Sequence, residues 1–141
     1  MYKIKIITIG KSKEKWLQDA LAEYTERLQP SIAIEWILAK DTVKLKQILE
    51  KVDSYICLDP QGKLLSSEKF SSFLIDQFQT GGSRLNFVIG EAEGLTPEIK
   101  QGAAHQLSLS PLTFTHQLTR LIFLEQLYRA IEIYKGSAYH K

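Results

Sequence analysis

Strand-like and helix-like patterns alternate along the whole sequence. Ile32, Ile34, Trp36 and Leu38 recur at every second position, which is the period of a strand with one buried face. Further strand patterns lie at 2–9, 54–58, 85–89 and 105–110, and helical patterns at about 14–28, 42–50, 67–78, 96–102 and 116–135. A turn is expected at 60–62. This order predicts an α/β fold with a largely parallel sheet that helices cover on both faces.

The length of the chain predicts a single domain spanning residues 1–141. The opening run MYKIKIITIG alternates lysine with isoleucine, unlike the continuous apolar run of a signal peptide, and no segment is apolar for long enough to cross a membrane. The lone Cys57 lies in the apolar run YICLD, which favours a buried, inert thiol over a reactive one. We therefore expect a cytoplasmic protein without a membrane partner.

The last helical segment is apolar around nearly its whole circumference. Its apolar residues are Leu118, Leu121, Ile122, Phe123, Leu124, Leu127, Tyr128, Ile131, Ile133 and Tyr134. Such a helix is buried on all sides, and in a small domain the sheet can cover only one of them. A second copy of the chain is the simplest cover for the rest, so the sequence predicts a homodimer.

The net charge of +2 does not by itself indicate a nucleic-acid partner, but the basic residues cluster at the two ends of the sequence. They are Lys3, Lys5, Lys11, Lys13 and Lys15 near the start, and Arg120, Arg129, Lys135 and Lys141 in the last quarter. Folding could join the two groups into a surface that faces phosphates. The alternative is that most of these residues are ordinary solvated lysines and arginines.

Three loops are candidates for a ligand site because they follow predicted parallel strands, and ligands bind outside the carboxyl ends of such strands. The loops are LDPQG, IGEAEG and SPLTF. None is a phosphate-binding loop with its lysine, and none has the glycine pattern of a dinucleotide fold. The histidines at 105, 116 and 140 and the single cysteine lack the spacing of a zinc site, so we expect no metal.

Glu125 and Arg129 are one helical turn apart on the last helix. Such a pair is commonly a structural ion pair. If it were half-buried, it would instead fix a guanidinium where an anion or a planar base could meet it. The sequence leaves both interpretations open, as it does for the unusual ending YKGSAYHK, which runs from a glycine into an aromatic ring, an imidazole and an ammonium group.

Two long runs, FVIGEAEGLTPEIK and LSLSPLTFTHQLTRLIFLEQLYRAIEIYKGSAYHK, resemble the bacterial ribosomal RNA large subunit methyltransferase H family. The resemblance covers the whole chain and is strongest over its last 55 residues or so. These are SPOUT-class enzymes that methylate N3 of a pseudouridine in 23S rRNA, at the position-1915 type of site in helix 69. The resemblance implies an α/β fold with a C-terminal trefoil knot, which is a rare exception to the rule against knotted chains.

The resemblance also implies that S-adenosylmethionine binds in three loops within the knot. The matching residues are Leu58, Gly90, Leu109, Ser110, Pro111, Leu112, Thr113 and Phe114, all in the three strand-end loops named above. The family commonly has two successive glycines in the second loop, whereas this chain has Glu91 after Gly90. Because such loops hold the cofactor mainly through the backbone, a side chain at 91 puts close approach of the cofactor to that backbone in question.

In this family the active site is shared between subunits, because the C-terminal tail of one subunit reaches over the cofactor pocket of the other. The resemblance therefore implies that Tyr139, His140 and Lys141 form part of the wall against which the target base is placed. His116, Glu125 and Arg129 match further polar positions near the site. His116 could alternatively be only a first-turn helix residue, and Lys141 only a terminal charge.

Methyl transfer to an imide nitrogen requires loss of the N3 proton. His140 is a candidate proton acceptor, Arg129 and Lys141 are candidates for stabilising the anion, and Tyr139 could stack on or hydrogen-bond the base. Water could equally remove the proton. With so small a net charge, assembled ribosomes are a more credible substrate than free RNA. The rival functions are a non-catalytic RNA- or ribosome-binding module, with the cofactor loop spoiled by Glu91, and a knotted methyltransferase acting on transfer RNA.

Overall fold

The structure, a computed structural model, describes residues 2–140, except for the side chain of His140. Its strands are β1 (Tyr2–Ile9), β2 (Ile32–Ala39), β3 (Ile56–Leu64), β4 (Arg84–Ile89) and β5 (His105–Ser108). Its helices are α1 (Lys15–Leu28), α2 (Thr42–Leu49), α3 (Ser67–Thr80), α4 (Pro97–Gly102) and α5 (His116–Lys135), followed by a short 3-10 helix at Ala138–His140. None of these helices is both long and apolar enough to cross a membrane.

The strands form one five-stranded sheet with the order β2-β1-β4-β3-β5, and every pair is parallel. This confirms the predicted α/β architecture. Side chains alternate across the inner strand β1, so Ile4 and Ile6 pack against α1, α3 and α5, whereas Ile7 and Ile9 pack against α2 and α4. Because both faces of β1 are covered, its second half is apolar except for Thr8. The hydroxyl of Thr8 donates to the carbonyl oxygen of Ile89 at 2.8 Å.

Side-chain caps begin four of the helices. Asp41, Ser66, Thr96 and Thr115 each accept a hydrogen bond from the backbone N–H three residues further on. Gly136 ends α5 in the left-handed conformation at φ 75°, which glycine adopts without a steric penalty.

The predicted end of the third strand at residue 58 is wrong, since β3 continues to Leu64. Its pairing is irregular, because Leu58 and Lys63 both lie opposite Leu107 on β5 and the four residues between them bulge out of the ladder. A Cβ atom at Gly62 would lie 2.7 Å from the carbonyl carbon of Gln106. The predicted turn therefore exists as a bulge within β3, and glycine is needed where the chain returns to the sheet. The fifth strand is also shorter than predicted and ends at Ser108.

Helix α5 packs against α1 and α3 on one face of the sheet. Phe123, Leu124, Leu127, Ala130 and Ile131 are buried, whereas Leu118 and Tyr134 remain 38% and 60% exposed. The single chain therefore covers only part of this helix, as the sequence predicts, and burial of the rest by a second copy stays a prediction. The exposed side chains leave an apolar face that the sequence assigned to a second copy.

Arg120, in the second turn of α5, is fully buried and does not join a phosphate-facing surface. One terminal nitrogen of its guanidinium donates to the carbonyl oxygens of Ile9 and Gly10, each at 2.9 Å, and the other donates to the hydroxyl oxygen of Ser12 at 3.0 Å. Burial lowers the pKa of Arg120 from its ordinary value. These hydrogen bonds tie the first turns of α5 to the chain that leaves β1.

Replacing Arg120 with methionine should lower the free energy of unfolding by roughly 2–4 kcal/mol, because two buried carbonyl groups and a hydroxyl lose a charged donor. Urea denaturation followed by circular dichroism measures the difference. Arg84→Met, at an exposed arginine that begins β4, is the matched control and should change stability by less than about 0.5 kcal/mol. Equal stabilities for the two variants would show that the Arg120 hydrogen bonds do not hold α5 in place.

Candidate functional site

A cleft opens at the carboxyl edge of the sheet, beside the bulge of β3 and the ends of β4 and β5. Residues from all three strand-end loops and from the start of α5 line it: Leu58, Asp59, Pro60, Ile89, Gly90, Glu91, Ala92, Gly94, Leu109, Ser110, Leu112, Thr113, Phe114, His116 and Thr119. Loops that are far apart in sequence meet there because the strands preceding them are parallel and adjacent.

Seven of the eight residues predicted to bind a cofactor line this cleft. They are Leu58, Gly90, Leu109, Ser110, Leu112, Thr113 and Phe114. The eighth, Pro111, is exposed and is not among the lining residues. Pro111 lies within the run from 109 to 114, so it shares the loop without contributing to the wall of the cleft.

Sequence reasoning did not single out Asp59, Pro60, Ile89, Ala92, Gly94 or Thr119 as lining residues. Most of them lie in or next to the loops LDPQG and IGEAEG, which the sequence analysis identifies as candidates for a ligand site. Thr119 was missed because it enters the cleft from α5, one helical turn after His116. Asp59 is buried, accepts a hydrogen bond from the backbone N–H of Gln61 at 3.0 Å, and lies 3.8 Å from the ammonium group of Lys100.

Gly90 has no room for a side chain. A Cβ atom there would lie 2.8 Å from the carbonyl carbon of Gly94. Gly94 itself is left-handed at φ 79°, and its N–H donates to the carbonyl oxygen of Glu91 at 2.7 Å. The two glycines thus fold the loop into a tight turn whose backbone forms one wall of the cleft.

Glu91, which replaces the second glycine of the family's pattern, neither strains nor fills the loop. The described residues include no residue other than glycine with positive φ, so position 91 does not require glycine. The Glu91 side chain is exposed, and the cleft remains open with it in place. Its carboxylate adds negative charge near His116 at the rim.

The third loop is stabilised by its own serines. The hydroxyl of Ser108 donates to the carbonyl oxygen of Ser110 at 2.9 Å, and the hydroxyl oxygen of Ser110 accepts from the N–H of Leu112 at 3.0 Å. These short-range bonds replace ladder hydrogen bonds after β5 ends. They hold Leu112 at the cleft, where it is 70% exposed and forms an apolar wall open to solvent.

His116 begins α5 at the rim of the cleft. Partial burial lowers its pKa, and the nearby positive charges of Arg120 and Lys13 lower it further, while Glu91 opposes them. The imidazole is therefore neutral at pH 7. Its Nε2 lies 3.2 Å from the side-chain nitrogen of Gln117, so the ring is held beside its neighbour on the helix.

The remaining predicted site residues form a separate cluster on the second half of α5. A terminal guanidinium nitrogen of Arg129 lies 2.9 Å from Oε2 of Glu125, and the hydroxyl of Tyr139 donates to the same oxygen at 3.0 Å. The Arg129 guanidinium also lies 5.2 Å from the centre of the Tyr139 ring. Tyr128 packs edge-on against that ring with centroids 4.8 Å apart. The Glu125–Arg129 ion pair is part-buried. This favours the interpretation that the pair fixes a guanidinium where an anion or a planar base could meet it.

This cluster does not contribute to the cleft of its own chain. Glu125 lies nine positions after His116, which corresponds to about 13.5 Å along α5. Neither Glu125, Arg129 nor Tyr139 lines the cleft. The side chain of His140 and the whole of Lys141 lie outside the described part of the chain, so their predicted roles stay predictions.

Two other groups bear on chemistry in this region. Burial and, to a smaller degree, the negative charge of Asp59 raise the pKa of the Cys57 thiol to about 12, so this cysteine is neutral and inert at ordinary pH. Within residues 2–140, no group of three or more histidine, cysteine, aspartate or glutamate side chains could hold a metal ion.

Comparison with known proteins identifies the family to which this fold and cleft correspond. Residues 2–140 match the family described as predicted SPOUT methyltransferase. The chain is 53% identical over 141 residues to the Ribosomal RNA large subunit methyltransferase H of Protochlamydia amoebophila, with both chains fully covered. It is 40% identical to the protein of the same name from Streptococcus mutans, with 99% of each chain covered.

Solved structures with low sequence identity share the fold. A probable methyltransferase from Bordetella pertussis superposes with a TM-score of 0.61 at 10% identity, covering 92% of this chain and 95% of that one. TrmJ from Zymomonas mobilis superposes with a TM-score of 0.56 at 5% identity, covering 92% of this chain and 70% of that one. At such identities the likeness concerns the fold alone.

The docking of Tyr139 on α5 predicts a measurable pKa. Burial raises the pKa of Tyr139 above its ordinary value, and hydrogen bonds to Tyr24 and Glu125 raise it further. Carbon-13 NMR of tyrosine Cζ should therefore show Tyr139 titrating above pH 10, and Glu125→Gln should bring its pKa closer to 10. Because the folded pKa is the higher one, the associated stability is fully present below pH 10 and is lost as the pH rises toward the folded value.

Glu132→Gln is the matched control for this titration. Glu132 lies on the same helix but accepts a hydrogen bond from Tyr128, at 3.3 Å, so this variant should lower the pKa of Tyr128 and leave that of Tyr139 raised. A Tyr139 resonance that titrates near pH 10 in the wild type would mean that the tail does not dock on α5 in solution.

Proposed function

Since the chain belongs to the SPOUT methyltransferase family and is an RNA methyltransferase, we propose that it methylates N3 of a pseudouridine in 23S rRNA. The site would be of the position-1915 type in helix 69. Full-length similarity to relatives named for the large-subunit ribosomal RNA supports this class of substrate. A ribosomal substrate also places the protein in the cytoplasm.

The observation that carries the proposal is the cleft formed by the three strand-end loops. Its residues fit S-adenosylmethionine, because Leu58, Leu109 and Leu112 offer apolar surface and Gly90, which has no side chain, contributes backbone to the lining. When bound, this cofactor supplies a methyl group on a positively charged sulfur, ready for in-line displacement. The cleft residues bind and orient it and exclude water, which is most of what this reaction requires of a protein.

We propose further that the active form is a homodimer with a composite site and that the C-terminal part forms the trefoil knot of the family. Two observations support the dimer. The tail cluster of Glu125, Arg129 and Tyr139 lies outside the cleft of its own chain, so it can serve a cleft only from another chain. The exposed apolar residues Leu118 and Tyr134 on α5 leave a surface for a second copy.

In this arrangement the partner's tail closes the cleft around the target base. The imide N3 must lose its proton, and His140 is the proposed acceptor, with Arg129 and Lys141 stabilising the resulting anion. Tyr139 would stack on the base or hydrogen-bond to it. Glu125 holds both Arg129 and Tyr139 through one carboxylate, so its part is to position them. The neutral His116 at the cleft rim would contact the base or the cofactor without adding charge.

The assembled ribosome is the proposed form of the substrate. A net charge of +2 provides little general attraction to RNA, so a pre-shaped ribosomal surface must supply part of the recognition.

The first test is calorimetric titration of the wild type with S-adenosylmethionine, with the mass in solution measured on the same sample. Binding by a dimer is expected, followed by methylation of ribosomes that lack the mark. Gly90→Ala should weaken binding at least about tenfold, because its Cβ atom meets backbone that cannot move aside. Gly81→Ala, at the end of α3 and away from the cleft, should bind normally.

Failure of the folded wild-type dimer to bind S-adenosylmethionine would overturn the enzymatic proposal and favour a ribosome-binding module. Circular dichroism of both glycine variants ensures that weak binding reflects the cleft and not unfolding.

A composite site predicts complementation between two inactive subunits. One subunit carries Gly90→Ala and an intact tail, and the other carries an intact cleft with Tyr139→Ala and His140→Ala. Random pairing makes half of the dimers mixed, and each mixed dimer has one intact site, so the mixture should recover about one quarter of the wild-type rate. Methylation measured after co-refolding the two chains, against each refolded alone, provides the comparison. No recovery in verified mixed dimers would show that cleft and tail act within one chain.

A further inference from the structure

The loop that joins β1 to α1 presents two lysines whose charges are not neutralised by a neighbour. Lys11 and Lys13 are both exposed, and neither forms an ion pair with a carboxylate of the described chain. By contrast, Lys15 at the start of α1 lies 3.2 Å from the carboxylate of Asp19. The loop therefore carries a local excess of positive charge in a protein with a net charge of only +2.

The backbone of this loop is held firmly although its lysines are exposed. The buried Arg120 donates to the carbonyl oxygens of Ile9 and Gly10 and to the hydroxyl of Ser12. The side-chain nitrogen of Gln117 donates to the carbonyl oxygen of Lys11 at 3.1 Å, and that of Gln18 donates to the carbonyl oxygen of Ser12 at 2.7 Å. Side chains from α1 and α5 thus hold the loop in place against the start of α5.

The loop lies beside the rim of the cleft. Gln117, which binds the Lys11 carbonyl, is adjacent to His116, whose side chain lines the cleft and lies 3.2 Å from the Gln117 amide nitrogen. Lys13 is close enough to contribute to the lowering of the pKa of His116. A polymer lying across the cleft would therefore meet the ammonium groups of this loop at its edge.

We propose that Lys11 and Lys13 bind phosphates of the RNA next to the target nucleotide and that Arg120 is the positioning residue that holds their loop at the cleft. This inference rests on the proposed function, because it assumes that the cleft receives a nucleotide of a longer RNA. Phosphate contacts fix the orientation of an RNA without reading its sequence, which suits residues at a rim. A loop ordered before binding loses little entropy when the RNA arrives.

The experiment compares Lys11→Gln/Lys13→Gln with Lys44→Gln/Lys69→Gln, which removes the same charge from exposed lysines on α2 and α3 that do not line the cleft. Ribosome binding is measured by co-sedimentation over a series of salt concentrations. Removal of two phosphate contacts should reduce the slope of log K against log salt by about 1.4 to 1.8. The KM for ribosomes should rise roughly tenfold at low salt, with kcat and the affinity for S-adenosylmethionine unchanged.

Arg120→Lys tests the positioning role, because it keeps the charge but cannot reproduce the three-way hydrogen bonding of the guanidinium. At a temperature well below its melting point, the variant should raise the KM for ribosomes and reduce the salt slope. Lower thermal stability with a wild-type KM and slope would show that Arg120 supports the fold alone. If Arg120→Lys does not fold, Gln117→Ala releases the Lys11 carbonyl and should produce the same KM effect to a smaller degree.

The outcomes separate this inference from the proposed function. A wild type that binds ribosomes but does not methylate them counts against the proposed function, while its salt slope still tests the two lysines. If Lys11→Gln/Lys13→Gln matches the control pair in slope and KM, the inference is wrong even when the enzyme is active.

Discussion

The hydrogen bonds of the buried Arg120 fix the position of the last helix, α5, relative to the end of the inner strand β1. Its guanidinium joins α5 to Ile9, Gly10 and Ser12, at the point where β1 leaves the sheet. A buried cation is costly unless the surrounding dipoles replace its water, and here two carbonyl oxygens and a hydroxyl do so. The Arg120 side chain therefore holds the main chain at the end of β1 in one conformation. This fixes both the start of α5 and the position of the β1–α1 loop.

The rigid helix transmits this constraint to its far end. Since α5 is 20 residues long and packs on α1 and α3, fixing its start also fixes the cluster of Glu125, Arg129 and Tyr139. One end of the helix lies at the cleft, and the other end carries Arg129 and holds Tyr139, whose pKa values are both raised. A helix cannot bend to bring these two ends together, and for this reason we propose that a second chain completes the site.

The sequence predicted the sheet and helices well because their signals are local. β1 and α5 have the predicted bounds. The rule that ligands bind at the carboxyl ends of parallel strands predicts the three loops of the cleft without the family resemblance. Arg120 was misjudged because an arginine on a helix reads as exposed, and only the tertiary structure shows the carbonyl groups that it meets. The bulge at 59–62 was read as a turn because its return to β5 depends on the long-range contact of Gly62 with Gln106.

The tolerance of Glu91 follows from which atoms shape the cofactor loop. Close packing of backbone at Gly90 and the left-handed conformation of Gly94 determine the turn, and neither demand falls on residue 91. The side chain at 91 is exposed at the lining of the cleft and adds negative charge near His116. Variation at 91 is therefore free to adjust the electrostatics around His116, where Glu91 opposes the positive charges of Arg120 and Lys13. The second glycine of the family pattern is thus separable from the loop geometry, whereas the first is not.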